Sequence, residues 1–318
     1  MTSGLPLPPL PAPPAPPAPP VLPLRPAIPL WPGLPMALAG AIAFSGKAII
    51  VKLAYRHGVD AVVLLMYRML FALPLFMLLA WWAGRGRPAL TARDLLTVAG
   101  LGFCGYYLAS YLDFMGLQFI SASLERLILY LTPTIVLLIG WLRHGRRASG
   151  RQMLAMAISY AGVLLVFGHE LALQRPNVGI GATLVLGSTI SYAFYLVFSG
   201  EVVQRLGAAR LTGLASTVAC VLCIGQFLLL RPLDQALVPA PVLWLSLLNA
   251  VLCTVAPVLL VMLAIERLGS ALTSQIGMVG PISTILMGTV LLGEAFTPWI
   301  AAGTAGVLVG VWLLARWR

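Results

Sequence analysis

The sequence predicts an all-α integral membrane protein whose ten transmembrane helices form two inverted five-helix repeats. Two observations carry that expectation. Of the 318 residues, 60% are hydrophobic and 9% are charged, too few polar groups to cover a soluble chain of this size. The segment 117–165 also recurs 148 residues later, over 265–313, without a gap. Leu124 meets Leu272, Ile128 meets Ile276, Pro133 meets Pro281, Gly140 meets Gly288, Gly145 meets Gly293 and Gly162 meets Gly310. Each half that contains a copy has five apolar spans, and an odd number turns the second half over in the membrane. Inverted halves of this kind place a solute site near the mid-membrane interface between them.

A helix needs about 20 apolar residues to cross the ~30 Å hydrocarbon layer. Ten such stretches follow one another, at 36–55, 59–82, 95–115, 121–142, 152–168, 180–200, 211–230, 241–264, 270–292 and 298–316. The first repeat thus covers 36–168 and the second 180–316. Residues 1–35 are of another kind, since fifteen of them are proline and the PPAPPAPPAPP pattern favours an extended polyproline conformation over a packed core. They are expected to be a disordered tail, or an upstream extension ahead of a true start at Met36. A ligand for a proline-recognising domain is the competing reading. A secretory signal peptide is excluded by the lack of a basic start and of an unbroken apolar run.

The net charge of +11 suggests a nucleic-acid partner until its distribution is read. The tail and the even-numbered connections carry thirteen arginines, among them Arg85, Arg87, Arg146 and Arg210, against Arg56, Arg175 and Arg231 on the other side. That bias places both termini in the cytoplasm of a multi-pass protein of the inner (plasma) membrane. Its anionic contacts are then lipid headgroups, with no nucleic acid. Cys104, Cys220, Cys223 and Cys253 lie within apolar spans and read as buried thiols, so neither a metal nor a cofactor is expected. No phosphate loop, nucleophile elbow or zinc-protease motif supports an enzyme.

Ionisable groups deep in a membrane are costly unless they face a partner or a cavity. Lys47 and Arg68 each lie about nine residues from the expected outer end of their spans, roughly 14 Å deep. Tyr106, Ser110 and Asp113 share one face of span three, with Tyr107 and Tyr111 beside it, and Glu125 and Arg126 lie one turn inside span four. Two roles compete for these charges: a solute site, or an interhelical ion pair such as Asp113 with Arg126. In the second half Ser188, Tyr192, Tyr195 and Ser199 form a stripe, and span nine carries Thr273, Ser274 and Gln275. Such groups suit a solute pocket, and they also serve as glue between membrane helices. The matched Pro133 and Pro281 should bend spans four and nine and mark gating elements.

The two repeats, the lysine of span one, the arginine of span two and the motif GSALTSQIGMVGPISTILMGTVLLGEAFTPWIAAGTAGVLVG resemble the drug/metabolite transporter superfamily, EamA type, over residues 36–316. The first-half counterpart, SASLERLILYLTPTIVLLIGWLRHGRRAS, departs from the pattern where Arg146 follows Gly145, against Glu294 after Gly293. The resemblance implies a ten-helix carrier that moves amino acids, other small metabolites or drugs, often outward. The residues therefore point to a secondary-active, alternating-access transporter of a small-molecule solute. An integral-membrane enzyme using Glu125 or Asp113 as a base and a channel are the rival classes. All five deep charges belong to the first half, three positive against two negative. An acidic solute held by Lys47 or Arg68 would supply the missing anion, with Tyr107, Tyr111, Tyr192 and Tyr195 packing its body. A neutral or cationic drug-type substrate is the alternative.

Overall fold

The structure, a computed structural model, describes residues 31–144, 149–173, 177–268, 273 and 276–316. Among them there is no strand, and the membrane-spanning helices are α1 (Gly33–Tyr55), α2 (Ala61–Gly84), α3 (Ala92–Leu117), α4 (Ala122–Leu142), α5 (Gly150–Ala172), α6 (Val178–Leu206), α7 (Ala208–Leu230), α8 (Ala240–Ile265), α9 (Val279–Leu292) and α10 (Pro298–Arg316). Nine of these are long and apolar enough to cross a membrane, and α9 is a shorter apolar helix. The first helix starts at Gly33, three residues before Met36, so the boundary expected at residue 35 lies inside α1.

Several helix starts are written locally in the sequence. Asp60 accepts from the Val62 amide at 3.2 Å and opens α2. Thr91 with Asp94, and Ser149 with Gln152, form reciprocal capping boxes at the starts of α3 and α5. Ser121 accepts from the Leu124 amide at 3.0 Å and opens α4. Each satisfies amides that the first turn leaves without an intrahelical partner.

Packing follows the repeat. Helix α5 lies on α10 and α2 on α7, each pair related by the 148-residue offset. The α1–α8 contact is answered by α3–α6, α2–α8 by α3–α7, and α1–α9 by α4–α6. The tightest crossing shows the two-fold relation residue by residue. A Cβ on Gly162 would come within 2.6 Å of the Gly303 carbonyl, and one on Gly310 within 2.6 Å of the Ala155 carbonyl. Gly310 is the repeat counterpart of Gly162, and Gly303 that of Ala155. The glycines that align in sequence therefore sit symmetrically against each other's helix. Close backbone approach of this kind drives helix association where burial from water offers nothing.

Two helices leave regular geometry at equivalent places. Phe103–Leu108 of α3 and Val251–Val255 of α8 are π-helical, and residue 103 corresponds to residue 251. The wider turn explains why the stripe expected on α3 is divided: Tyr106 reaches Tyr195 on α6, while Asp113 reaches Lys47 on α1.

The proline breaks also differ in detail from expectation. Helix α4 is interrupted between Leu129 and Thr132, and Val279 opens α9, so Pro133 and Pro281 stand in the first turn after each interruption and not at a mid-helix bend. A proline in a helix leaves the carbonyl four residues earlier without its donor. For Pro133 that carbonyl is Leu129, and the Thr132 hydroxyl donates to it at 2.6 Å. For Pro281 it is Gly277, and the Tyr130 hydroxyl donates to it at 2.5 Å from α4, across the interface between the halves.

Candidate functional site

The five deep charges gather where the first half meets the second. Lys47 of α1 places its Nζ 2.5 Å from Asp113 Oδ2 of α3 and 3.0 Å from Glu125 Oε1 of α4. Both acids are fully sequestered, Asp113 at 2% and Glu125 at 0% exposure, so a charge on either requires the ammonium beside it. The ion pair weighed from the sequence, Asp113 with Arg126, is replaced by this three-helix contact centred on lysine. A compact ammonium with three donors can serve two carboxylates at once.

The two arginines instead reach into the second half. Arg68 of α2 donates from Nε to Thr254 Oγ1 at 3.0 Å, and its guanidinium lies 5.0 Å from the centroid of the Phe114 ring. Arg126 of α4 donates to Thr284 Oγ1 at 3.0 Å and to the Phe44 carbonyl at 2.9 Å. Each threonine spends its own proton on its helix backbone, Thr254 on Asn249 at 2.8 Å and Thr284 on Gly280 at 3.2 Å, and so turns a lone pair toward the guanidinium. The Asn249 carbonyl is five residues before Thr254, a reach that suits the π-helical segment. Among the described residues Arg68 Nη1 has no hydrogen-bond partner.

The aromatic candidates divide into two groups. Tyr107 and Tyr111 stack with rings 6.5 Å apart and 6° from parallel, packed in the same cluster as Phe114 beneath Arg68. Tyr192 and Tyr195 stack at 5.7 Å, and Tyr195 meets Tyr106 edge-on at 5.0 Å with hydroxyls 3.2 Å apart. Tyr195 belongs to a separate cluster with Val98, Leu101 and Leu211. Ser274 and Gln275 lie outside the described residues.

Several polar contacts around this site were not singled out from the sequence. Ser45 of α1 donates to the Gly280 carbonyl at 2.9 Å, and Thr254, Thr284 and Tyr130 act as described above. At one end of the bundle Ser121 contacts Glu170 of α5, while Glu294 accepts from the Ala122 amide at 2.8 Å. Serine, threonine and tyrosine are common glue in membrane helices, and nothing in their local sequence separates these from the rest.

Two inverted five-helix halves around a polar middle define a multi-pass membrane transporter of small solutes. The chain belongs to the EamA-like transporter family, whose family model matches residues 31–168 and 179–316, once per repeat. It is 32% identical over 286 residues to the uncharacterized transporter YcbK of Bacillus subtilis (strain 168), covering 86% of this chain and 90% of that one. It is 23% identical over 289 residues to the uncharacterized transporter sll1319 of Synechocystis sp., covering 83% and 87%. A solved crystal structure superposes with a TM-score of 0.59 at 16% identity, covering 89% of this chain and 96% of that one, which supports the fold.

Proposed function

We propose that this chain is an alternating-access carrier that exports a small carboxylate-bearing metabolite, with amino acids as the leading class. The carrying observation is the charge balance at the centre. Both carboxylates lie on Lys47, and Arg68, at 7% exposure, retains a guanidinium nitrogen without an acceptor. An excess cation so deep is stabilised by an anion brought in by the solute. Arg68 takes the solute carboxylate, Lys47 holds Asp113 and Glu125 in place, and the Tyr107–Tyr111 stack packs the solute body. The arginine bias sets the orientation, with both termini cytoplasmic and the α1–α2, α3–α4 and α9–α10 connections external. A cationic solute is the second reading, favoured by the two carboxyl groups of Asp113 and Glu125 gathered at the centre.

Counterflow in proteoliposomes loaded with a mixed metabolite pool, read by mass spectrometry, tests the proposal. Anionic or zwitterionic solutes should exchange, and Arg68→Ala should raise their dissociation constant roughly ten- to a hundredfold, the scale of a charge-assisted hydrogen bond of ~1.5–3 kcal/mol. Selective exchange of cations that is indifferent to Arg68→Ala would refute the acidic-solute reading. Chemical conversion of the pool without counterflow would refute the carrier.

A further inference from the structure

The two ends of the bundle differ, and the difference begins at one residue of the repeat. At the end that carries the α1–α2, α3–α4 and α9–α10 connections, Gly293 adopts φ 72°, a left-handed conformation that turns the chain off α9. Glu294 then reaches across to the other half. Its carboxylate accepts from the Ala122 amide at 2.8 Å, the Ser123 amide at 3.4 Å and the Ser123 hydroxyl at 3.0 Å. It thus caps the start of α4, where first-turn amides lack partners and the helix dipole favours an anion. Arg56 of α1 donates to the Leu292 carbonyl at 2.7 Å and adds a second contact between the halves nearby.

No such cap can form at the opposite end by the same device. The repeat counterpart of Glu294 is Arg146, and a guanidinium has donors only. The side chain of Arg146 lies outside the described residues. At that end other groups join the halves: Arg87 donates to the Leu206 carbonyl and Arg210 to the Pro88 carbonyl, each at 3.1 Å, and Arg205 pairs with Asp94. The cap also sits next to the charged centre, because Glu125 and Arg126 follow Ser123 within the same turn of α4.

We propose that Glu294 is a positioning residue for transport, a latch that holds its end of the bundle shut by capping α4 from the opposite half. A contact made only while this end is closed stabilises that state, so the latch biases the carrier toward opening at the end that bears the termini, whose own ties between the halves are made by other groups. Release of the latch frees the first turn of α4 and, with it, the acid that helps to hold Lys47. This inference rests on the alternating-access reading above.

The test is the distance between spin labels in the full chain in lipid nanodiscs, measured by pulsed electron resonance. One pair, at Gln118 and Phe296, reports the latched end; the other, at Arg151 and Arg267, reports the opposite end. In Glu294→Ala the ratio of closed to open population at the latched end should fall roughly tenfold, while the other pair shifts toward shorter distances. Glu294→Gln, which keeps an acceptor and loses the charge, should move both pairs in the same direction by less, and it provides the reading where Glu294→Ala fails to insert. An unchanged distribution at Gln118 and Phe296 would overturn the latch. Widening there with no response at Arg151 and Arg267 would reduce Glu294 to a local helix cap and overturn the bias. Neither result bears on the acidic-solute reading, which the counterflow assay decides.

Discussion

Tyr130→Phe should destabilise the protein, and Pro281→Ala should remove most of that cost. The Tyr130 hydroxyl donates at 2.5 Å to the Gly277 carbonyl, which lacks its helical donor because residue 281 is proline. Removing the hydroxyl leaves a part-buried carbonyl without its donor. An unmade hydrogen bond of this type costs about 1–3 kcal/mol in buried protein, whereas side-chain bonds between membrane helices average about 0.6 with a maximum near 1.7. The structure argues for the upper part of the membrane range, since the bond fills a carbonyl that has no helical donor and Gly280 leaves room for the hydroxyl, a Cβ there coming within 2.6 Å of it. The expected loss is therefore ~1.5 kcal/mol. In Pro281→Ala the amide of residue 281 can fill the Gly277 carbonyl, and the same tyrosine deletion should then cost ~0.5 kcal/mol or less. A coupling of ~1 kcal/mol is measurable from a double-mutant cycle of reversible unfolding in mild detergent or bicelles. Equal costs in the two backgrounds would refute the view that the tyrosine completes the proline break.

Three further outcomes are expected. Lys47→Met should cost roughly 3–5 kcal/mol by stranding two buried carboxylates, and adding Asp113→Asn with Glu125→Gln should recover most of the loss; the same unfolding assay checks it, and no recovery would mean that the acids do not depend on the lysine. Deleting residues 1–30 should leave insertion and transport intact, whereas a start at Met36 should lower stability, because it removes Gly33 from its place against Leu268; equal behaviour of the two truncations would remove any role for that contact. Cysteines placed at Ser149 and Asn177 should be, respectively, protected from and labelled by an impermeant reagent in intact cells, and the reverse pattern would invert the proposed orientation.

The charged centre was only partly legible in the sequence. Lys47, Arg68, Asp113, Glu125 and Arg126 stood out because membrane interiors exclude such groups. Which acid meets which cation was not legible, since the pairings join α1 to α3 and α4, and α2 to α8, and helical spacing carries no information across helices. The π-helical turns of α3 and α8 were hidden as well. They separate Tyr106, which meets Tyr195, from Asp113, which meets Lys47, where regular spacing places the two on one face.

What the sequence determined by itself is the architecture. Apolar length sets the spans, the odd number of spans per repeat inverts the halves, and aligned glycines and prolines mark where the halves touch and break. These are properties of residue order, which lipid enforces through the cost of exposed backbone. Only the tertiary structure decided how the polar groups are satisfied: that Lys47 serves both acids, that threonines of the second half hold the arginines of the first, that Tyr130 supplies the donor Pro281 lacks, and that Glu294 caps α4. A hydrogen bond needs its partners within about 3 Å, and that proximity between residues 235 positions apart, as for Ser45 and Gly280, exists only after the helices have packed.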